Sequence, residues 1–219
     1  MKEKYSSDQN KPSSEFSEGL TVRRENRIRE VASKRQTDVV LVLENVHDPH
    51  NIGAVLRTCD SVGVTEVFVV YSDSHLDQDT LDLGLKSKTS SGAYKWVQTT
   101  LFHTVADCID ELRKRKLQIL GTHLLQSAQS IYDSNFEVPI AIVLGNERIG
   151  LSKEMLDALD GNIFIPQVGM VKSLNISVAC AVILYELYRQ RELKGQYDSN
   201  ELHTDLEQRY ILTHRKPKE

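Results

Sequence analysis

Ile165-Pro166-Gln167-Val168-Gly169-Met170-Val171-Lys172-Ser173-Leu174-Asn175-Ile176-Ser177-Val178-Ala179 joins a short apolar run to a long one. Ile163–Ile165 reads as a strand, Pro166 and Gly169 as a loop, and residues 175–192 as a long helix. Ser173 and Asn175 then enter the helix at its positive end, where backbone N–H groups are unpaired. Taken alone they are more often capping residues than catalytic ones.

Working outward, the same texture repeats. Val39–Leu43, Val67–Tyr71, Leu117–Gly121 and Pro139–Leu144 are short apolar runs that read as strands. Helical patterns at 51–62, 103–115 and 152–159 alternate with them. Strands that are apolar throughout, separated by helices, predict an α/β fold with a mostly parallel sheet covered on both faces.

Two further segments are unlike ordinary scaffold, and each follows a predicted strand, where ligands bind in open α/β sheets. Glu44-Asn45-Val46-His47-Asp48-Pro49-His50-Asn51-Ile52-Gly53-Ala54-Val55-Leu56-Arg57-Thr58 is a polar loop that opens a helix. Asn51 is a good N-cap, and Arg57 is expected on the same helical face. An Arg beside Val55 and Leu56 is either half of a structural ion pair or a guanidinium that grips phosphate bidentately. Leu144-Gly145-Asn146-Glu147-Arg148-Ile149-Gly150-Leu151-Ser152 places two glycines around Asn-Glu-Arg, a loop whose backbone can touch a ligand. By itself it would mostly be a turn with a surface ion pair.

Other classes are disfavoured. The longest apolar run, Val178 to Leu184, is far short of the roughly 18 residues of a membrane span. No apolar stretch near the start suggests a secretory signal, and Cys59, Cys108 and Cys180 show no spacing for disulfides or zinc, so a cytoplasmic protein is expected. The fingerprints of P-loop, Rossmann and serine-hydrolase sites are missing. His47 and His50 lack further ligands at suitable spacing, so no metal is expected.

The chain has 219 residues with 27 Lys+Arg against 31 Asp+Glu, a formal charge of −4, which argues against a nucleic-acid partner only if charge is evenly spread. It is not. Within 21–36, Arg23, Arg24, Arg27, Arg29, Lys34 and Arg35 stand against Glu25 and Glu30, six positive less two negative, or +4. The expected organisation is a disordered segment at 1–20, a basic helix at 21–36, the α/β domain at 37–194, and a helical tail at 195–219 with an apolar stripe of Leu202, Leu206, Tyr210 and Ile211.

The three segments, in this order and spacing, resemble the SpoU (TrmH) family of RNA ribose 2′-O-methyltransferases. The matches are N-x-G-A-V-x-R-T at 51–58, L-G-N-E-x-x-G at 144–150, and I-P-x-x-G-x-x-x-S-L-N-x-S-V-A at 165–179. The flanking Glu44–Asn51 stretch and Tyr185-Glu186-Leu187-Tyr188-Arg189-Gln190-Arg191 resemble the branch acting on a tRNA guanosine. The resemblance implies a SPOUT fold with a C-terminal trefoil knot, S-adenosylmethionine as methyl donor, and a homodimer. It implies donor contacts from Thr122, Leu144, Gly145, Ile165, Met170 and Leu174, and catalytic positions at Asn51, Arg57, Glu147, Ser173 and Asn175. Arg24, Arg27, Arg35, Arg189 and Arg191 would contact tRNA, with guanosine 18 of the D-loop the expected target. Other readings of the same residues are methylation of another tRNA or rRNA nucleotide, or a non-catalytic RNA-binding dimer. The latter would be marked by loss of Arg57 or the Ser-Leu-Asn segment, and both are present.

Overall fold

A computed structural model describes residues 20–72, 78–86, 88–123, 127–171, 173–198 and 203–215. The segment expected to be disordered lies, apart from Leu20, outside the described residues, as does Leu202 of the tail stripe. In chain order the elements are α1 (Val22–Ser33), β1 (Gln36–Glu44), α2 (Pro49–Ser61), β2 (Val64–Val70), α3 (Gln78–Leu85), two 3-10 turns (Lys88–Ser90 and Ala93–Lys95) and β3 (Gln98–Phe102). They continue as α4 (Val105–Lys114), β4 (Gln118–Thr122), β5 (Gln129–Ser130), β6 (Ile140–Leu144), α5 (Lys153–Ala158), β7 (Gly161–Phe164), α6 (Ile176–Leu193) and α7 (Thr204–Arg215).

The strands form one sheet in the order β3-β2-β1-β6-β4-β7-β5, with every adjacent pair parallel. Successive side chains on a strand point to opposite faces. Accordingly Val39, Leu41 and Leu43 of β1 join a core with Ile52 and Leu56 of α2 and Ile183 and Leu187 of α6. Val40 and Val42 join the other core with Cys108 and Leu112 of α4 and Met155 of α5. A β1 buried on both faces therefore needs the uninterrupted apolar run seen in its sequence.

Five strands are legible from apolar runs; the sheet has two more among the described residues, and both are edges. Gln98-Thr99-Thr100-Leu101-Phe102 of β3 is only partly buried, and β5 is two residues long. An edge strand packs less apolar area, so neither carries a continuous apolar signature. α3, with Leu81 buried on it, was likewise not expected.

α2 starts two residues earlier than its sequence suggests. Asp48, not Asn51, is the N-cap: its carboxylate accepts from His50 N at 2.8 Å, and Pro49 takes the first turn, where its missing N–H costs nothing. Asn51 is thereby released from capping and sits in the first turn with its amide available for other bonds.

Two compact units are present. One spans Lys34–Ser199 and contains the sheet; the other contains α1 and α7, which pack on one another. The basic helix and the tail helix, expected as separate ends, thus belong together. Arg29 Nε binds Glu207 Oε1 at 2.8 Å, instead of the i,i+4 partner Glu25, and this bond raises the Arg29 pKa. Tyr210 and Ile211 of the expected stripe are buried.

Candidate active site

A cavity of about 310 Å³ opens at the C-terminal ends of β4, β6 and β7. Its walls come from three loops and one helix. Thr122 ends β4 and His123 follows it, Leu144 ends β6 with Gly145 to Glu147 and Gly150 after it, and Ile165, Ser173 and Leu174 follow β7. Ile176, Ala179 and Ile183 of α6 complete the apolar side. Five of the six expected donor contacts, Thr122, Leu144, Gly145, Ile165 and Leu174, line this one cavity. Met170 does not; it is 99% exposed on the loop before α6. His123 was missed, because a single His after a strand carries no pattern, although its place beside Thr122 at a strand end was a signal.

The loop after β6 is held tightly. Asn146 and Gly150 exchange backbone hydrogen bonds at 3.1 and 2.9 Å, and Asn146 Oδ1 accepts from Arg148 N and Ile149 N at 2.8 and 3.2 Å. Gly150 has φ +71°, and a Cβ on Gly145 would lie 2.5 Å from the Gly150 carbonyl carbon, so the chain can close only with glycine at Gly145. The loop is also tied to β1: Asn146 Nδ2 donates to Asn45 O at 2.8 Å, and Ser152 N donates to the buried Glu44 carboxylate at 2.9 Å.

Beside the cavity, side chains link the first turn of α2, the loop after β6 and the start of α6. Asn51 Nδ2 donates to Glu147 Oε1 at 2.6 Å, and Asn175 Nδ2 donates to Asn51 Oδ1 at 3.1 Å. Asn175 Oδ1 in turn accepts from Ser177 N at 2.9 Å and Ser177 Oγ at 2.6 Å, capping α6. Asn175 is thus a cap and a member of the cluster at once. Glu147, Asn51 and Asn175 come from positions 124 residues apart at the extremes and meet in one polar chain.

Residues 38–185 match the model of the SpoU rRNA Methylase family. The chain belongs to the SpoU methylase family. A tRNA (guanosine(18)-2′-O)-methyltransferase of Thermus thermophilus is 40% identical over 191 residues, covering 87% of this chain and 95% of that one. The crystal structure of the Aquifex aeolicus TrmH/SpoU tRNA modifying enzyme superposes with a TM-score of 0.76 at 32% identity, over 89% of this chain and 98% of that one. The SpoU methyltransferase AviRb of Streptomyces viridochromogenes, solved in complex with AdoMet, shares the fold at TM-score 0.64 and 24% identity, over 72% of this chain and 62% of that one.

Within this SpoU methylase chain, Arg57 stands apart from the Asn51 cluster. Six residues on from Asn51 is about 240° around a helix, so the two occupy different faces, not one as expected. Asn51 is buried and Arg57 exposed, and among the described residues Arg57 makes no hydrogen bond or ion pair. The structural ion pair considered for it is absent among those residues.

The expected RNA-contacting arginines divide. Arg24 and Arg27 are exposed on α1, Arg27 pairing with Glu30 at 2.9 Å. Arg189 is exposed on α6 and grips Glu186 through two bonds of 2.8 Å, which lower the Glu186 pKa. Arg35 and Arg191 are corrections. Arg35 is buried, bonded to Asp60 O and ion-paired with the Asp60 carboxylate. Arg191 is 1% exposed, and its guanidinium binds Asp38, Gln36 Oε1, Phe136 O and Val138 O. Arg191, whose guanidinium donors are all engaged inside the protein, has none to offer a phosphate, and burial keeps the Arg35 guanidinium from one. Among the described residues no cluster suits a metal ion, and no helix is long and apolar enough to cross a membrane.

Proposed function

We propose that this protein transfers a methyl group from S-adenosylmethionine to the ribose 2′-hydroxyl of guanosine 18 in tRNA. The observation that carries the reading is the Glu147–Asn51–Asn175 chain beside a cavity lined by five of the six expected donor contacts. The cavity is of ligand size, and its apolar walls with a few polar atoms suit an adenosyl group. The relatives' names and the match along nearly the whole sheet-bearing unit support the same substrate.

S-adenosylmethionine, when bound, supplies a methyl group already activated on a sulfonium sulfur. Thr122, Leu144, Gly145, Ile165 and Leu174 would hold it. The protein's remaining task is to bring the ribose hydroxyl in line and ease its proton away. Arg57 is free to bind a substrate phosphate and polarise that hydroxyl. Its positive charge would favour the oxygen's developing negative charge as the O–C bond forms, the C–S bond breaks and the hydroxyl proton passes to water. Asn51 and Glu147 fix the acceptor side, and Ser173 and Asn175 shape the loop before α6.

The reading includes a homodimer, a trefoil knot and action in the cytoplasm. Exposed Val178 and Tyr185 on α6 support a second copy seated there. For the knot, the support is the likeness in fold to the solved TrmH/SpoU enzyme, over 89% of this chain. Exposed Arg24, Arg27 and Arg189 supply phosphate contacts. The test is methyl transfer from labelled donor to a tRNA carrying 2′-deoxyguanosine at position 18: no label enters it, whereas the unmodified tRNA is labelled. Equal labelling of both would overturn the assignment.

A further inference from the structure

The turn between β6 and α5 does more than close the cavity. Its base is locked by the Asn146–Gly150 bridge, and its two tip N–H groups are already satisfied by Asn146 Oδ1. The tip therefore holds its shape without a ligand, and three consecutive side chains, Glu147, Arg148 and Ile149, project from it. Glu147 turns to Asn51. Arg148 is exposed and, among the described residues, its guanidinium has no hydrogen bond and no ion pair, not even with adjacent Glu147. Ile149 is 75% exposed, which is unusual for a β-branched side chain at a rigid turn whose backbone is otherwise so closely packed.

A free cation and a bare aliphatic group, side by side on a preorganised turn, match the two surfaces of a nucleotide: an anionic phosphate and a flat apolar face. We propose that Arg148 and Ile149 are RNA contacts that seat the nucleotide bearing the acceptor hydroxyl, Arg148 on a flanking phosphate and Ile149 against the sugar or base. The occupant is tied to this turn by its continuity with the site. The residue immediately before Arg148 is bonded to Asn51, and the same turn supplies Gly145, Asn146, Glu147 and Gly150 to the cavity wall. A substrate whose ribose reaches the Glu147–Asn51 pair has its phosphates within reach of the tip. Because the turn is already ordered, these contacts cost little conformational entropy on binding. This inference rests on the reading of the site as an RNA methyltransferase.

The experiment uses the full-length protein with Arg148→Ala, Arg148→Lys and Ile149→Ala. Steady-state transfer to tRNA, donor affinity by calorimetry, RNA affinity against salt, and mass in solution are read for each. Arg148→Ala is expected to raise KM for tRNA about tenfold while kcat and donor Kd stay within about twofold, the pattern of lost uniform binding. The slope of log affinity against log salt should shrink by about 0.7–0.9, one phosphate contact. Arg148→Lys should restore the slope and part of the KM, and Ile149→Ala should raise KM without changing the slope. Unchanged KM and slope in Arg148→Ala would overturn the proposal. So would a loss of donor affinity equal to the rise in KM, which would make the turn part of the donor cavity alone. A change of oligomeric mass in Ile149→Ala would assign that side chain to a subunit contact and overturn its role here. Failure of the unsubstituted protein to methylate any tRNA overturns the proposed function instead, and the salt slope still reports on Arg148.

Discussion

Asn51 Nδ2 lies 2.6 Å from Glu147 Oε1, bringing the first turn of α2 against the loop after β6. The bond exists because Asp48 and Pro49 take over the start of α2 and leave the Asn51 amide unspent. With Asn175 on its other side, Asn51 is the middle of a three-residue chain.

Breaking that chain should cost turnover and spare the donor. Asn51→Ala is expected to lower kcat by about 100-fold, the scale of a misplaced reacting group. Donor Kd should hold, since Asn51 is not in the cavity wall. Glu147→Gln keeps an acceptor oxygen for Asn51 while removing the charge. Comparing the two by single-turnover kinetics and calorimetry separates geometry from electrostatics.

Arg57 offers a different contrast. As an exposed side chain with no bond among the described residues, its removal should leave stability within about 0.5 kcal/mol. Methyl transfer should nonetheless fall by about 100-fold or more in Arg57→Ala, as when a donor to a reacting oxygen is removed. Arg57→Lys should fail to rescue it, because an ammonium lacks the bidentate fork. Near-normal transfer by either variant would remove Arg57 from the mechanism.

Arg191 and Arg189 sit two residues apart and should behave oppositely. Arg191→Met strands Asp38 and the Phe136 and Val138 carbonyls, and should destabilise the fold by about 3 kcal/mol. Arg189→Ala breaks an exposed i,i+3 pair and should cost less than about 1 kcal/mol. Urea unfolding measures both. The motif resemblance could not separate these arginines, since residue type says nothing about which helix face meets a β1 carboxylate and two loop carbonyls. Arg35 misled for the same reason: its partner, Asp60, is 25 residues away on α2.

What was legible had a local signature. Apolar runs marked the buried strands, two of the motif segments marked the loops after β6 and β7 that wall the cavity, and the third marked the start of α2, whose Asn51 joins them from beside it. Edge strands β3 and β5 were illegible because partial burial leaves no apolar run. The N-cap was misplaced because Asp48 and Asn51 are both good caps, and only the Pro49 at the first turn decides between them. The whole-chain charge of −4 was a poor guide too, since phosphate binding responds to local charge, and α1 alone carries Arg23, Arg24, Arg27 and Arg29.

Stability should decline at alkaline pH. Burial, aided by the Glu44 charge, pushes the Cys108 thiol from its ordinary 9.0 up to about 12, and burial likewise raises the Tyr197 hydroxyl, which donates to Val62 O at 2.7 Å. A folded state that holds its proton more tightly contributes stability fully present below pH 9 and lost as pH rises toward 12. The urea midpoint should therefore fall across that window, and Cys108→Ala should flatten the fall. A midpoint independent of pH there would contradict the burial of both groups.

Nuclease digestion and mass mapping of tRNA after incubation with the protein and isotopically labelled S-adenosylmethionine asks where the methyl group goes. One labelled methyl group on the ribose of guanosine 18, and no label in the base, is the expected result. A methyl group on a base, on the ribose of a different nucleotide, or nowhere in tRNA would contradict it.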